Sequence, residues 1–129
     1  RLVFVAHDLG LEKNINFVGP VSHRNTISYY KKSDIYLQYS LQEGYCNATL
    51  EAQSMGLITI VSNAEGLKEN VGNNDLVVEK RNPILLADKI MDVIENWSFY
   101  SNIVANSRKR IQQENNINFQ INEYLDFYD

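Results

Sequence analysis

Apolar and polar positions alternate along this chain in two rhythms, one near the helical period and one near the strand period. Residues 1–9 carry Leu2, Val3, Val5, Ala6 and Leu9. The steps of four from Leu2 to Ala6 and from Val5 to Leu9 predict a helix that Gly10 ends. Ile15-Asn16-Phe17-Val18 alternates and stops at Gly19-Pro20, which predicts a short strand. Ser22 is suited to cap a helix running to about Lys32. Ile35-Tyr36-Leu37-Gln38 reads as a second strand, followed by a loop from Tyr39 to Cys46. Asn47 is expected to cap a helix that carries Ala48, Leu50, Glu51, Ala52 and Met55 and closes at Gly56. Ile58-Thr59-Ile60-Val61 is a continuous apolar, β-branched run, which suits a strand buried on both faces. Leu76-Val77-Val78 is another short strand. Beyond Asn82, Leu86, Ile90, Val93 and Trp97 fall on one helix face, and Pro83 suits its first turn. One or two further helices are expected over residues 98–129.

Strands alternating with helices imply an α/β fold, with a parallel sheet covered by helices on both faces. Such sheets bind ligands beyond the carboxyl ends of their strands, in the crevice where strand order reverses. A chain of 129 residues fits one domain, and 44% hydrophobic with 22% charged residues is the balance of a folded protein. The net charge of −4 changes the list of partners. The only basic clusters, Lys31-Lys32 and Arg108-Lys109-Arg110, read as solvated helix faces, so no nucleic-acid partner is expected. No apolar run approaches the roughly 20 residues that a membrane-spanning helix needs. Cys46 is the single cysteine, which excludes an intramolecular disulfide and suits a reducing compartment. The chain opens at Arg1 on an apolar pattern with no capping residue before it, so N-terminal truncation is expected.

Candidate chemistry is densest between Gln42 and Gln53. There a strand end leads through a loop holding Glu43, Gly44 and Tyr45 directly into a helix. A helix N-terminus offers unpaired N–H groups and partial positive charge, which together make an anion site. Gly44 permits a tight turn or a close backbone approach. Glu51 is expected in the first helical turn, where the dipole favours it. Two carboxylates beside an anion site are poor architecture, but each can accept from a pair of sugar hydroxyls. Spacing alone favours the plainer reading, in which Glu43 is a surface loop residue and Glu51 an ordinary helix residue.

The stretch Glu43-Gly44-Tyr45-Cys46-Asn47-Ala48-Thr49-Leu50-Glu51-Ala52 resembles the Glu-x7-Glu signature of the glycosyl transferases group 1 family. The flanks resemble that family in order: Phe17-Val18-Gly19-Pro20-Val21, then Tyr29-Tyr30, then Ser33-Asp34-Ile35-Tyr36-Leu37. Next come Val61-Ser62-Asn63-Ala64-Glu65-Gly66-Leu67-Lys68-Glu69-Asn70-Val71 and Asn82-Pro83 with its helix. The similarity runs from about Gly10 to Arg110. It departs at Tyr45 for a usual Phe, at Cys46 for a common Gly, at Glu65 for a usual Gly, and at Lys68 for a usual Pro.

The resemblance implies a Rossmann-like domain, part of the C-terminal half of a GT-B enzyme. Residues 1–129 would be the nucleotide-sugar-binding domain of a retaining hexosyltransferase in glycan or surface polysaccharide synthesis. Glu43 would be catalytic and hold hydroxyls of the transferred sugar. Gly44, Tyr45, Cys46, Asn47, Ala48, Thr49 and Leu50 would bind the donor, chiefly through backbone N–H groups. Glu51 would take the ribose hydroxyls. No metal and no cofactor are expected, the nucleotide-diphosphate sugar being a substrate. The acceptor, a sugar or a lipid-linked glycan, would sit on an N-terminal domain absent from this chain, and the Arg/Lys pair that neutralises the diphosphate would belong to the start of the C-terminal domain, before Arg1. The isolated chain is therefore expected to be inactive, since leaving-group charge stabilisation is a dominant catalytic contribution. A cytoplasmic location is implied, with room for a peripheral position at the inner membrane face.

Other residues suit plainer roles. Cys46 near a helix N-terminus could have a lowered pKa, but no histidine is near it in sequence to serve as a base. His7 lacks a second ligand at i+3 or i+4, and His23 reads as a surface residue. Trp97, Phe99 and Tyr100 continue an apolar face and read as core. Residues 123–129 read as a terminal helix that leaves Tyr124, Phe127 and Tyr128 exposed. Two rival functions remain: a nucleotide-sugar epimerase of the same architecture, and a non-catalytic doubly wound interaction module. Asp34 precedes its strand instead of following it, which counts against a receiver-like module.

Overall fold

The β-branched run at residues 58–61 forms the middle of the molecule. A computed structural model describes residues 1–114. The elements are α1 (Leu2–Asp8), α2 (His23–Tyr30), β1 (Ile35–Gln38), α3 (Asn47–Ser54), β2 (Ile58–Ser62), α4 (Leu67–Val71), a 3-10 turn (Asn74–Leu76), β3 (Val77–Val78), α5 (Pro83–Glu95) and α6 (Trp97–Glu114). The strands form one parallel sheet in the order β1-β2-β3. Ile35 lies opposite Ile58 and Gln38 opposite Val61, while Val61 and Ser62 lie opposite Val77 and Val78. Every residue of β2 is buried, as expected for a parallel strand covered on both faces. Its side chains join Ala64, Leu67 and Val71 from the following segment, Val93 of α5, and Tyr100, Ile103 and Val104 of α6 in the main core. A smaller cluster of Tyr30, Ala52 and Leu57, with Tyr36 and Met55 packed against it, joins α2 to α3. Tyr30 meets Tyr36 edge-on, with ring centroids 5.9 Å apart.

Caps explain several boundaries. Ser22 Oγ accepts from Asn25 N and starts α2, and Asn82 Oδ1 accepts from Leu85 N one residue before Pro83 opens α5. Gly10 (φ +66°) follows α1 directly after Leu9.

The structure corrects other expectations. Residues 15–18 form no strand, and Ile15, Phe17 and Val18 are exposed. Alternation makes a strand only where a neighbour supplies a ladder, and the described sheet consists of β1, β2 and β3 alone. The described strand order also contains no reversal, so the candidate crevice is marked only by the carboxyl ends of the strands. Helix α2 stops at Tyr30, because the Ser33 hydroxyl and tight i→i+3 bonds close it (Lys32 N to Tyr29 O, Ser33 N to Tyr30 O). Lys31 and Lys32 therefore lie in a turn. Leu76 belongs to the 3-10 turn, not to β3.

The face of α5 does not extend to Trp97. Asn96 leaves the helical conformation and its side chain bonds back to Asp92, so Trp97 begins a new helix and is 41% exposed. Phe99 is exposed as well, and only Tyr100 of these aromatics joins the core. Arg110 is not a solvated-face residue either. Its Nη2 donates to Asn70 O (2.6 Å) and Val71 O (3.2 Å) at the end of α4, and to Gln53 Oε1 (3.3 Å). A guanidinium at a helix C-terminus satisfies carbonyls that the helix leaves open. The expected tail helix over residues 123–129 lies outside the described residues.

Candidate functional site

The loops that leave the carboxyl ends of β1, β2 and β3 are tied together by side chains chosen for the purpose. Ser62 Oγ, at the end of β2, donates to Ser40 O (2.6 Å) and accepts from Ser40 N (3.1 Å). The Tyr39 hydroxyl donates to Glu79 O and accepts from Asn82 N, both at 2.8 Å. Lys80 Nζ reaches Leu41 O (3.3 Å), and Lys80 N donates to Asn63 Oδ1 (3.0 Å). The closest approach is backbone to backbone: a Cβ built on Gly66 would lie 2.2 Å from Gly44 O. Gly66 also has φ +82°, so both space and backbone conformation demand glycine there. Glu65 and Lys68, where the sequence departs from the family pattern, are exposed. Glu69 Oε2 instead accepts from Gly66 N (2.8 Å) and fixes the start of α4.

Glu43 stands in this loop cluster half-buried and already organised. Its Oε1 accepts from Ser40 Oγ (2.9 Å) and from Gln38 Nε2 (3.1 Å). Gln38 in turn accepts from the Tyr36 hydroxyl (2.6 Å). Residues 36, 38 and 40 share one side of an extended chain, so the strand period aims all three toward the carboxylate. Burial, followed by the charge of neighbouring groups led by Cys46, pushes the Tyr36 phenol well above its ordinary pKa, which keeps it a donor.

The start of α3 differs from the expected arrangement. Cys46, not Asn47, occupies the cap position, in an extended conformation and with no side-chain cap bond. Asn47 is the first helical residue. The helix therefore begins without the side-chain acceptor that usually covers its first N–H groups. Within the turn, Thr49 N donates to Cys46 O at a long 3.2 Å, and Asn70 Nδ2 also reaches Cys46 O (3.1 Å), tying α4 to this cap. The buried Thr49 Oγ1 has no hydrogen-bond partner among the described residues. Gly44 and Tyr45 precede the cap and are exposed, and Ala48 and Leu50 are half-buried.

Glu51 is the fifth residue of α3 and so lies past the first turn, where the dipole no longer favours it. A different contact holds it: His23 Nε2 donates to Glu51 Oε1 at 3.0 Å. Beneath the pair, burial and then the negative field of Glu51 raise the pKa of the Tyr30 phenol. His23 is thus no idle surface residue, although 28 positions separate it from Glu51 and no sequence spacing joins them. Gln38 and Ser40 had a legible signal in the strand period, and Gly66 lay in a stretch that resembles the family, whereas His23 had none beyond the fold itself.

A three-stranded parallel sheet with helix-start and loop residues gathered at its carboxyl edge defines a Rossmann-like α/β domain, the class of fold that binds ligands at that edge. Residues 1–110 match the family Glycosyl transferases group 1, and the chain belongs to that family. It is 31% identical over 108 residues to the capsular polysaccharide biosynthesis glycosyltransferase CapM of Staphylococcus aureus, which covers 82% of this chain and 28% of CapM. It superposes on the C-terminal domain of a glycosyl transferase group 1 family protein from Francisella tularensis with a TM-score of 0.79 and 27% identity, covering 90% of this chain and 61% of that one. It has the fold of sucrose-phosphate synthase from Thermosynechococcus elongatus, with a TM-score of 0.85 over 99% of this chain and 34% of that one, at 22% identity. The chain spans 28–31% of the length of the curated relatives it matches first. No helix among the described residues is long and apolar enough to cross a membrane.

Proposed function

We propose that this chain is the nucleotide-sugar-binding C-terminal portion of a retaining hexosyltransferase that works in glycan or surface polysaccharide synthesis. One observation carries the reading. Glu43 and Glu51 flank the N-terminus of α3 at the carboxyl edge of a parallel sheet, and the side chain of its cap residue makes no cap bond. The chemistry divides naturally. The α3 N-terminus, with the backbone of residues 44–50, suits the diphosphate, and the two carboxylates suit hydroxyls on either side of it. Glu43, with one oxygen held by Ser40 and Gln38, is fixed in place to accept from the transferred sugar. Glu51 accepts from the ribose. The donor is a substrate, and helix N-termini with basic residues would neutralise its phosphates without a metal. The acceptor, a sugar or a lipid-linked glycan, would bind elsewhere in the longer protein, at a cytoplasmic site of action. CapM, by name a capsular polysaccharide biosynthesis enzyme, supports the surface-polysaccharide part of this reading.

Ligand-observed NMR with UDP, GDP and their sugar conjugates tests the donor site. One nucleotide should bind the chain, and Glu51→Ala should weaken its binding. If the full-length protein binds none of them, the donor-site reading is wrong.

A further inference from the structure

We propose that His23 is a positioning residue for the nucleotide site, holding the Glu51 carboxylate in the orientation that accepts the ribose hydroxyls. The inference rests on the reading of Glu51 as the ribose acceptor. It starts from a geometric problem. Glu51 lies past the first turn of α3, beyond the reach of the helix dipole, and its side chain is more than a third exposed. A glutamate in that setting samples several rotamers, and ordering it only when ligand arrives weakens binding. His23 Nε2, donating to Oε1 at 3.0 Å, selects one rotamer in advance. A carboxylate has about four lone-pair sites, so the bond from His23 and the approach of the Tyr30 phenol still leave capacity for a pair of hydroxyls. His23 can do this because it is itself fixed. It is the first residue of α2, directly after the Ser22 cap, and the other end of α2 is anchored by buried Tyr30 against Ala52 and Leu57. The same packing therefore sets the distance between the two helices that carry the histidine and the glutamate. The bond crosses two elements and involves a side chain that contributes nothing to the core, which is the pattern of a residue kept for a site more than for stability.

The readout is discrimination between a ribonucleotide and its 2′-deoxy counterpart, measured by calorimetry on the full-length protein. UDP is compared with dUDP, and GDP with dGDP, for the wild type, Glu51→Ala, His23→Ala and His23→Gln, each checked for native circular dichroism. The wild type should prefer the ribonucleotide, and Glu51→Ala should bring the ratio to unity. His23→Ala should weaken the ribonucleotide about fourfold, the scale of one exposed charge-assisted contact, and leave the deoxynucleotide unchanged. His23→Gln, whose amide can donate from nearly the same point, should restore most of the preference. A ratio that survives His23→Ala but collapses in Glu51→Ala overturns the role of His23 alone. Equal weakening of both nucleotides by His23→Ala does the same, since it marks a merely structural residue. An unchanged ratio in Glu51→Ala, no wild-type preference, or no binding at all removes the Glu51 reading and this inference with it.

Discussion

Helix α1 and strand β2 are both written in apolar residues, yet they end in opposite environments. Val61 in β2 is completely buried, whereas Phe4 in α1 is 76% exposed, and Ala6 is the only buried residue of its helix. The contrast extends to their surroundings. Residues 1–29 contribute a single buried side chain, that of Ala6, while the segment from β2 to α6 supplies nearly all of the main core. Apolar periodicity thus specifies which face an element would bury, and only a neighbour decides whether it does. All the organised site residues sit on the packed side of this divide, or at its border in α2.

The largest test of that packed side is Gly66→Ala. Its Cβ would enter the Gly44 carbonyl, and the backbone there disfavours any side chain. The two loops must separate, at a cost of about 3 kcal/mol or more, read as a drop in thermal stability together with loss of nucleotide binding. A folded Gly66→Ala variant with unchanged melting would mean that the loops are not locked together. The comparison itself is tested by a pair of substitutions in this chain. Ile60→Ala in β2 should cost about 3 kcal/mol in denaturant unfolding, whereas Phe4→Ser should change stability by less than about 0.5 kcal/mol. Similar costs for the two would erase the distinction between the regions.

How much of this was legible in the sequence follows the same divide. The strand at residues 58–61, the Ser22 and Asn82 caps and the α5 face were readable because each signal is local and its tertiary partner agrees with it. The segment at residues 15–18 misled because its alternation is real but unpaired. Trp97 misled because Asn96 resets the helix between it and Val93. At the candidate site, the motif pointed to Glu43 and Glu51, and the strand period could have added Gln38 and Ser40 as partners of Glu43. The cap was misassigned by one residue, since Asn47 is the better capping side chain and Cys46 takes the position without using its own. His23 and Arg110 gain their roles only from the meeting of distant helices, which no window of sequence contains.

A smaller effect probes whether the packed region depends on such long-range caps. Arg110 covers the last carbonyls of α4, and its guanidinium lies so close over Gly72 that a Cβ there would come within 2.7 Å of it. Arg110→Ala leaves those carbonyls to water and should cost about 1–2 kcal/mol, with faster amide exchange across α4 than across β2. Uniform exchange changes in both elements would argue that Arg110 supports the whole core and not one helix end.

The smallest expected effect lies at the outer rim of the packed region, where α5 meets α6. Asp92 accepts from the Tyr100 hydroxyl, from Lys89 Nζ (3.3 Å) and from Asn96 Nδ2 (2.7 Å). The Tyr100 bond holds its carboxyl below the usual range, desolvation is the next-largest effect and works against this, and Asn96 and Lys89 add to the lowering. A carboxyl that is more acidic in the folded than in the unfolded chain binds fewer protons when folded. Its contribution is therefore present at neutral pH and is lost as the pH falls through the acid range toward the folded pKa. Asp92→Asn removes that titration while keeping the shape. Thermal melts of the two proteins should differ most near pH 7 and converge on acidification, by a small margin because water reaches the group. Parallel melting curves across the whole range would show that the α5–α6 rim is held by the packing of Tyr100, Ile103 and Val104 alone, and that the ordered region ends at its apolar core.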